Sequence, residues 1–110
     1  MSLVIDNIAL PHAAILAPMS GVTDWPFRRA VRRCGGGLLV TEMVASAAVL
    51  RDVRSEMRKL QIEARAEAPL SIQLVGWEPM VMAEAAKICA GIGATFIDIN
   101  MGCPAKKVTG

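Results

Sequence analysis

Residues 95–104 read TFIDINMGCP, and this stretch decides the fold class of the chain. The run is rich in β-branched residues and ends at a glycine and a proline, which is typical of a buried strand. A strand buried on both faces of a parallel sheet is normally apolar throughout, yet Asp98 and Asn100 are polar. Because side chains alternate along a strand, these two share one face, and Ile97 and Ile99 lie on the other. The stretch therefore predicts a parallel strand with a polar face toward a site and an apolar face toward helices.

Similar apolar runs precede this strand, and segments with helical periodicity separate them. The predicted strands are residues 14–17, 38–43, 70–75 and 95–100, and the predicted helices begin near Pro26, span residues 45 to about 57, and begin at Pro79. Strands and helices that alternate with a unit of roughly 30 residues predict a parallel sheet with right-handed crossovers. A doubly wound open sheet and a (β/α)8 barrel both fit this order. No G-x-G-x-x-G follows the first strand, which disfavours the dinucleotide-binding open sheet.

The first predicted helix has clear start and stop signals. Thr23 or Asp24 can cap its N-terminus, and three consecutive glycines can end it. Phe27, Val31 and Cys34 recur at spacings of four and three, which predicts one apolar, buried helix face. A run of basic residues on a helix is most often a solvated outer face, and we interpret the arginines in this way rather than as an RNA contact. They are Arg28, Arg29, Arg32 and Arg33.

The composition is typical of one globular domain, with 110 residues of which 54% are hydrophobic and 20% charged. No apolar run reaches the roughly 18 residues that a membrane helix needs, and the N-terminus lacks the basic start of a signal peptide. Three widely spaced cysteines form neither a disulfide framework nor a zinc pattern. These features predict a cytoplasmic protein without a membrane association or a metal centre. The net charge of +2 argues neither for nor against an RNA partner.

Polar residues at the carboxyl ends of the predicted strands form the candidate site, because function in parallel α/β folds lies at that edge. Residues 18–20 (PMS) end the first strand, Glu42 lies at the end of the second, and Gln73 and Asn100 lie at the ends of the third and fourth. A buried amide needs hydrogen-bond partners, and a heterocyclic ligand with donors and acceptors can supply them. Neighbouring loop backbone can supply them too, and the spacing alone leaves these two interpretations about even.

Cys103 follows the last predicted strand and lies between Gly102 and Pro104. Glycine lets the backbone approach a ligand closely, and proline fixes the turn, so this thiol is a candidate for contact with a substrate. The alternative is a small buried hydrophobe, which is the usual role of a free cysteine. We interpret Cys34 and Cys89 in this second way, because each lies on a helix face or edge.

Four segments resemble motifs of the tRNA-dihydrouridine synthases, and their order and spacing also agree. Residues 16–28 (LAPMSGVTDWPFR) are similar to the family's opening motif, and residues 98–108 (DINMGCPAKKV) are similar to its active-cysteine motif. Residues 41–44 (TEMV) and 72–74 (IQL) resemble its second and third strand ends. The resemblance runs from about Ile8 to the last residue, and the bacterial B-type branch is the most similar.

The resemblance implies flavin-dependent reduction of uridine to 5,6-dihydrouridine in tRNA, with FMN as the cofactor, NADPH as the reductant and tRNA as the partner. The implied site residues are Pro18, Met19 and Ser20 lining the flavin, Gln73 at its ring edge, Asn100 against the uracil or the flavin, and Cys103 as the general acid. An ordinary thiol is mostly protonated at neutral pH, so it can donate the proton that the reduction requires.

The resemblance also implies that residues 1–110 are the N-terminal part of an FMN-binding (β/α)8 barrel, with about four strands and three helices. The second half-barrel and the family's helical RNA-binding domain would lie beyond Gly110. We therefore expect this chain by itself to be inactive and to self-associate through its open sheet edges. Two alternatives remain: another FMN barrel, such as dihydroorotate or dihydropyrimidine dehydrogenase, and a non-catalytic half-barrel fragment. Residues 20–24 (SGVTD) and 106–108 (KKV) argue against the first.

Overall fold

The computed structural model describes residues 3–51 and 54–103, so the predicted features at residues 104–108 lie outside the described residues. The strands are β1 (Leu3–Ile5), β2 (Ile8–Leu10), β3 (Leu39–Val40), β4 (Val44–Ala45), β5 (Leu70–Val75) and β6 (Phe96–Asn100). The helices are α1 (Trp25–Arg33), α2 (Ser46–Leu50), α3 (Arg54–Ala66) and α4 (Pro79–Gly91). In these ranges no helix is both long and apolar enough to cross a membrane.

The main sheet is parallel and follows the order of the chain. The strand β5 lies at its centre, with β3 and β4 paired to one side and β6 to the other. Beyond β3, Ile15 forms an isolated parallel bridge with Leu38. Four successive segments are therefore neighbours without a reversal of order, and the predicted parallel α/β arrangement is confirmed. The last residues of the predicted third and fourth strands, Val75 and Asn100, pair in the observed register.

A local irregularity divides the predicted strand 38–43 in two. Four steps separate Val40 from Val44, but only three separate their partners Ser71 and Leu74, so this side of the ladder carries one extra residue. Thr41 fills the break: its Oγ1 accepts a hydrogen bond from the backbone N–H of Gln73 at 3.1 Å. The carboxyl end of the strand is thereby bulged rather than continuous.

The core lies between the sheet and the helices α2, α3 and α4. All six residues of β5 are buried, as expected for the central strand of a parallel sheet. Cys89 of α4 is fully buried, which confirms its interpretation as a small hydrophobe. The two buried apolar clusters consist of Val49, Ile72, Leu74, Ala85 and Cys89, and of Leu39, Ala64 and Leu70.

Two sequence predictions about these elements are wrong, and one pair of strands was not predicted. Residues 14–17 are not a buried strand, since Ile15 makes one bridge and is 52% exposed with no described strand on its outer side. The single helix predicted over 45–57 is instead the whole of the short helix α2 and the start of α3, so the described residues contain four helices rather than three. The antiparallel hairpin β1–β2, which turns at Asp6 with a φ of 55°, was not predicted.

The helix α1 begins and ends as predicted. The Asp24 carboxylate accepts a hydrogen bond from Phe27 N at 3.1 Å, and a proline lies in the first turn. At the other end Gly35 has a φ of 98°, and the following N–H bonds back to Val31 O at 3.1 Å. This is a Schellman motif, and it needs a left-handed residue that glycine adopts without strain.

The predicted apolar face of α1 is buried only in part, because Val31 packs against a core cluster while the other two predicted residues do not. Phe27 and Cys34 are exposed, so the prediction that Cys34 is a buried hydrophobe is wrong. Arg28 is instead the buried residue, at 2% exposure, because α3 packs against this side of the helix and offers carboxylates. The prediction that this arginine is solvated is therefore also wrong.

Arg28 is held by four hydrogen bonds. Its Nε and Nη2 donate to Glu67 Oε2 at 3.1 and 3.0 Å, and Nη2 also donates to Glu63 Oε2 at 3.1 Å. Its Nη1 donates to Thr23 O at 2.9 Å. Burial raises the pKa of the Glu67 carboxyl, whereas the hydrogen bond from Arg28 lowers it. The four residues form a buried clamp (the Arg28 clamp) that joins α1, α3 and the loop before α1.

The other three arginines of α1 differ from one another in burial. Arg32 is half-buried and donates to four backbone carbonyls, so it too departs from the predicted solvated face. Arg29 and Arg33 are exposed, as predicted, and the guanidinium of Arg29 lies 5.6 Å from the ring centre of Trp25. The carbonyls bound by Arg32 are those of Gly36, Gly37, Glu67 and Pro69, at 2.8–2.9 Å.

Candidate active site

Three polar side chains meet near the carboxyl ends of β5 and β6. Gln73 is paired in register with Asp98, and its Nε2 donates to Asp98 Oδ2 at 2.6 Å. Its Oε1 accepts from Asn100 Nδ2 at 3.4 Å. The predicted clustering of Gln73 and Asn100 is thus confirmed, and the structure adds Asp98 as the partner that orients the glutamine amide.

The alternative that these amides bond only to loop backbone holds for Asn100 in part. Its Oδ1 accepts from the backbone N–H of Gly102 at 2.9 Å, while its Nδ2 also lies 3.8 Å from Met43 Sδ. Gln73, by contrast, uses both ends of its amide on other side chains. At 7% exposure it retains one further N–H and one further lone pair that these bonds do not use.

The Asn100 bond to Gly102 fixes the start of the turn that carries Cys103. The Asn100 side chain accepts a hydrogen bond from the backbone N–H two residues later, which is typical of an Asx turn. Cys103 is half-buried, directly after the turn, and Pro104 lies outside the described residues. The predicted order of amide, glycine and thiol therefore forms one local unit at the carboxyl end of β6.

A second local unit follows the Ile15 segment. Residues 18–20 are the predicted flavin-lining group, and they begin a turn in which Val22 N and Thr23 N both donate to Met19 O, at 3.0 and 2.9 Å. The Glu42 carboxylate accepts from Gly21 N and so connects this turn to the end of β3. We name residues 18–22 the β-end turn. The sequence prediction placed Glu42 at a strand end but gave it no role.

Sequence reasoning also missed Thr23 as a site-supporting residue, because it was considered only as a helix cap. Asp24 provides the cap, and Thr23 Oγ1 instead accepts from Met19 N at 2.9 Å. A threonine in a turn can form such side chain-to-backbone bonds with the residue four positions earlier, which is the signal that the sequence offered. Among the described residues, no group of three or more His, Cys, Asp or Glu side chains is placed to hold a metal ion.

Comparison with known proteins shows the family of the chain. The model of the dihydrouridine synthase family matches residues 15–110, which include the β-end turn, Gln73, Asn100 and Cys103. The chain belongs to the dihydrouridine synthase family. Its mixed α/β structure agrees with the TIM barrel of that family at the level of fold class.

The relatives carry tRNA-specific names. A probable tRNA-dihydrouridine synthase of Rhodobacter capsulatus is 56% identical over 110 residues, covering 100% of this chain and 34% of the relative. One from Rickettsia conorii is 54% identical over 106 residues, covering 96% of this chain and 32% of the relative. The tRNA-dihydrouridine synthase B of Pseudomonas aeruginosa is 50% identical over 99 residues, covering 90% and 30%. The chain thus spans about a third of the length of the curated relatives it matches.

Proposed function

We propose that a protein of the relatives' length that contains this chain reduces uridine to 5,6-dihydrouridine in tRNA, with FMN as cofactor and NADPH as reductant. The observation that carries this proposal is the Asp98–Gln73–Asn100 hydrogen-bonded chain, which lies beside the turn to Cys103 at one edge of the sheet. It places an amide of fixed orientation, which can form hydrogen bonds with a heterocycle, beside a thiol that can donate a proton. Family membership supports the reaction type.

The donor set at this edge fits a flavin. Gln73 is held by Asp98, and its unused N–H and lone pair can bond the polar edge of the ring. Met19 is 43% exposed beside the β-end turn and, with Pro18, offers apolar surface for a ring face. Ser20 adds a hydroxyl in the same turn. When bound, FMN supplies the hydride for the reduction.

Cys103 acts as the general acid in this proposal. Hydride addition at C6 of the uracil leaves negative charge on C5 and the C4 oxygen, and a proton must then reach C5. The Asn100–Gly102 bond orients the turn that presents the thiol. Asn100 Nδ2 makes only long contacts, to Gln73 Oε1 at 3.4 Å and Met43 Sδ at 3.8 Å, and in this proposal it donates to a uracil or flavin carbonyl. Because a stacked base is out of reach of such a site, the uridine is flipped out of the RNA.

Residues 1–110 would form the N-terminal half of the barrel. The support for this is the order of the sheet, in which Ile15, β3, β5 and β6 are neighbours in chain order, as in a closed barrel. A doubly wound sheet reverses its strand order at a switch point, and these segments contain no reversal. The remaining strands, the RNA-binding surface and a cytoplasmic location belong to the same proposal.

The test is Cys103→Ala in the intact protein, with Cys34→Ala as the matched control. Cys34 is exposed on α1, away from the site turn, so its loss should leave every step unchanged. In Cys103→Ala, NADPH should reduce the flavin at the wild-type rate, while tRNA-dependent reoxidation should slow by about 10²–10⁴-fold. Stopped-flow absorbance in the flavin bands separates the two steps.

Reoxidation of Cys103→Ala at the wild-type rate would remove Cys103 from the mechanism. A wild-type protein that binds FMN but is reoxidised by free orotate or uracil, and not by tRNA, would favour the other FMN barrels. Purified intact protein without flavin absorbance would contradict the proposed function as a whole.

A further inference from the structure

We propose that Thr23 is a positioning residue that sets the place of Met19 and the β-end turn against the flavin. This inference rests on the proposed function, because the turn is a cofactor-lining element only if FMN binds here. Thr23 does not touch the ligand itself; its side chain is fully buried, at 0% exposure, behind the turn.

Thr23 satisfies both backbone polar groups of Met19. Its Oγ1 accepts from Met19 N at 2.9 Å and donates to Met19 O at 3.2 Å. Its own backbone N–H donates to Met19 O at 2.9 Å. One hydroxyl therefore fixes the N–H and contributes to fixing the carbonyl of a single residue four positions earlier. A hydroxyl can act as donor and acceptor at once, whereas an apolar side chain of the same size can do neither.

Thr23 is in turn anchored to the outer helices. Its carbonyl accepts from Arg28 Nη1 at 2.9 Å, and the buried ion pairs to Glu63 and Glu67 fix that guanidinium. Contacts therefore run without a gap from the α1–α3 interface to the backbone of Met19. Buried supporting contacts of this kind, behind a binding element, hold that element in one geometry.

The β-end turn has little else to hold it in place. Its apolar side chains are largely exposed: Met19 is 43% and Val22 46% accessible. Gly21 adopts a φ of 77°, and its N–H bonds to Glu42. Because little apolar surface is buried, the position of this turn depends on its hydrogen bonds rather than on packing.

The decisive variants are Thr23→Val and Thr23→Ser. Valine keeps the shape and removes the hydroxyl, whereas serine keeps the hydroxyl and removes one methyl group. Ser46→Ala is the matched control, because Ser46 is also buried and its Oγ donates to a strand-end carbonyl, Val75 O at 3.1 Å. It makes no hydrogen bond to the β-end turn in the described structure.

Two readouts are measured in the intact protein. FMN affinity is obtained from quenching of flavin fluorescence, and amide hydrogen exchange at Met19 is followed without FMN. Thr23→Val should bind FMN about threefold to tenfold more weakly, and the Met19 amide should exchange faster by a similar factor, since the hydroxyl's hydrogen bonds to Met19 N and Met19 O are both lost. Thr23→Ser should restore both values to within about twofold of wild type, as expected if the hydroxyl is the responsible group.

The inference is overturned if Thr23→Val binds FMN as tightly as wild type, or if Ser46→Ala weakens FMN binding as much. The inference is also overturned if Thr23→Ser binds FMN more weakly than wild type, because serine retains the hydroxyl. This measurement tests the inference even if the valine variant does not fold. A wild-type protein that never binds FMN would contradict the proposed function rather than the role of Thr23 in the turn. In that case, unchanged Met19 exchange in Thr23→Val would separately refute the anchoring of the turn.

Discussion

Replacement of Arg28 by methionine should be among the most destabilising single substitutions in this chain. The Arg28 side chain is 3% exposed, and the carboxylate-bearing side chains of Glu63 and Glu67 are 6% and 3% exposed. One cation therefore compensates two buried carboxylates. Its removal takes the hydrogen-bonded counter-charge from both, and the Thr23 carbonyl loses its donor.

The magnitude follows from desolvation. Removal of one partner from a buried ion pair costs about 3–5 kcal/mol, because the remaining charge stays away from water without compensation. Natural domains are stable by only about 5–15 kcal/mol, so Arg28→Met should lose a large share of the free energy of unfolding. Replacement of a whole buried ion cluster by apolar residues is often neutral or stabilising. The triple variant Arg28→Met/Glu63→Leu/Glu67→Leu should therefore recover most of the loss.

Urea unfolding, followed by tryptophan fluorescence, measures these free energies. The matched control is Arg29→Met, on the same helix but exposed, whose contact is with the Trp25 ring at 5.6 Å. It should cost less than about 1 kcal/mol. A loss below about 1 kcal/mol in Arg28→Met, or a triple variant no more stable than the single one, would refute the importance of the clamp.

The remaining predictions concern titration, the cofactor and assembly. Burial raises the pKa of Glu67 above its ordinary 4.5, so the folded state keeps a proton that the unfolded state releases. The unfolding free energy of wild type relative to Glu67→Gln should therefore fall as pH rises from 4.5 through the raised pKa; urea titrations with a pH-independent difference would contradict this. Gln73→Leu should lower the flavin content of purified intact protein, because an amide at the ring edge and the partner of Asp98 are both lost; full flavin content would make Gln73 purely structural. The isolated chain should self-associate in light scattering, because Ile15 and Ile99 are 52% and 55% exposed on the outer segments of the sheet. A monomer at high concentration that unfolds cooperatively would show that these edges need no partner.

Local patterns in the sequence were sufficient for much of the fold. The strand over residues 70–75, the helix start at Pro79 and the Asp24 cap are in the structure as predicted. These features depend on residues that are close in sequence, such as a proline in a first turn or an alternating apolar run. The polar strand ends also predicted the candidate site, since Gln73 and Asn100 do meet.

Tertiary structure decided which face of each element is buried and which partner each polar group takes. The apolar pattern of α1 predicted that Phe27 points inward, but Arg28 is the buried residue because two carboxylates, one in α3 and one directly after it, lie opposite it. Likewise, Thr41 interrupts its strand because it bonds the backbone of β5. Each of these contacts joins residues more than 30 positions apart. The local sequence therefore determined where β5 lies and where α1 and α4 begin. Burial, side-chain hydrogen bonding and the break after β3 depended on distant segments that only folding brings together.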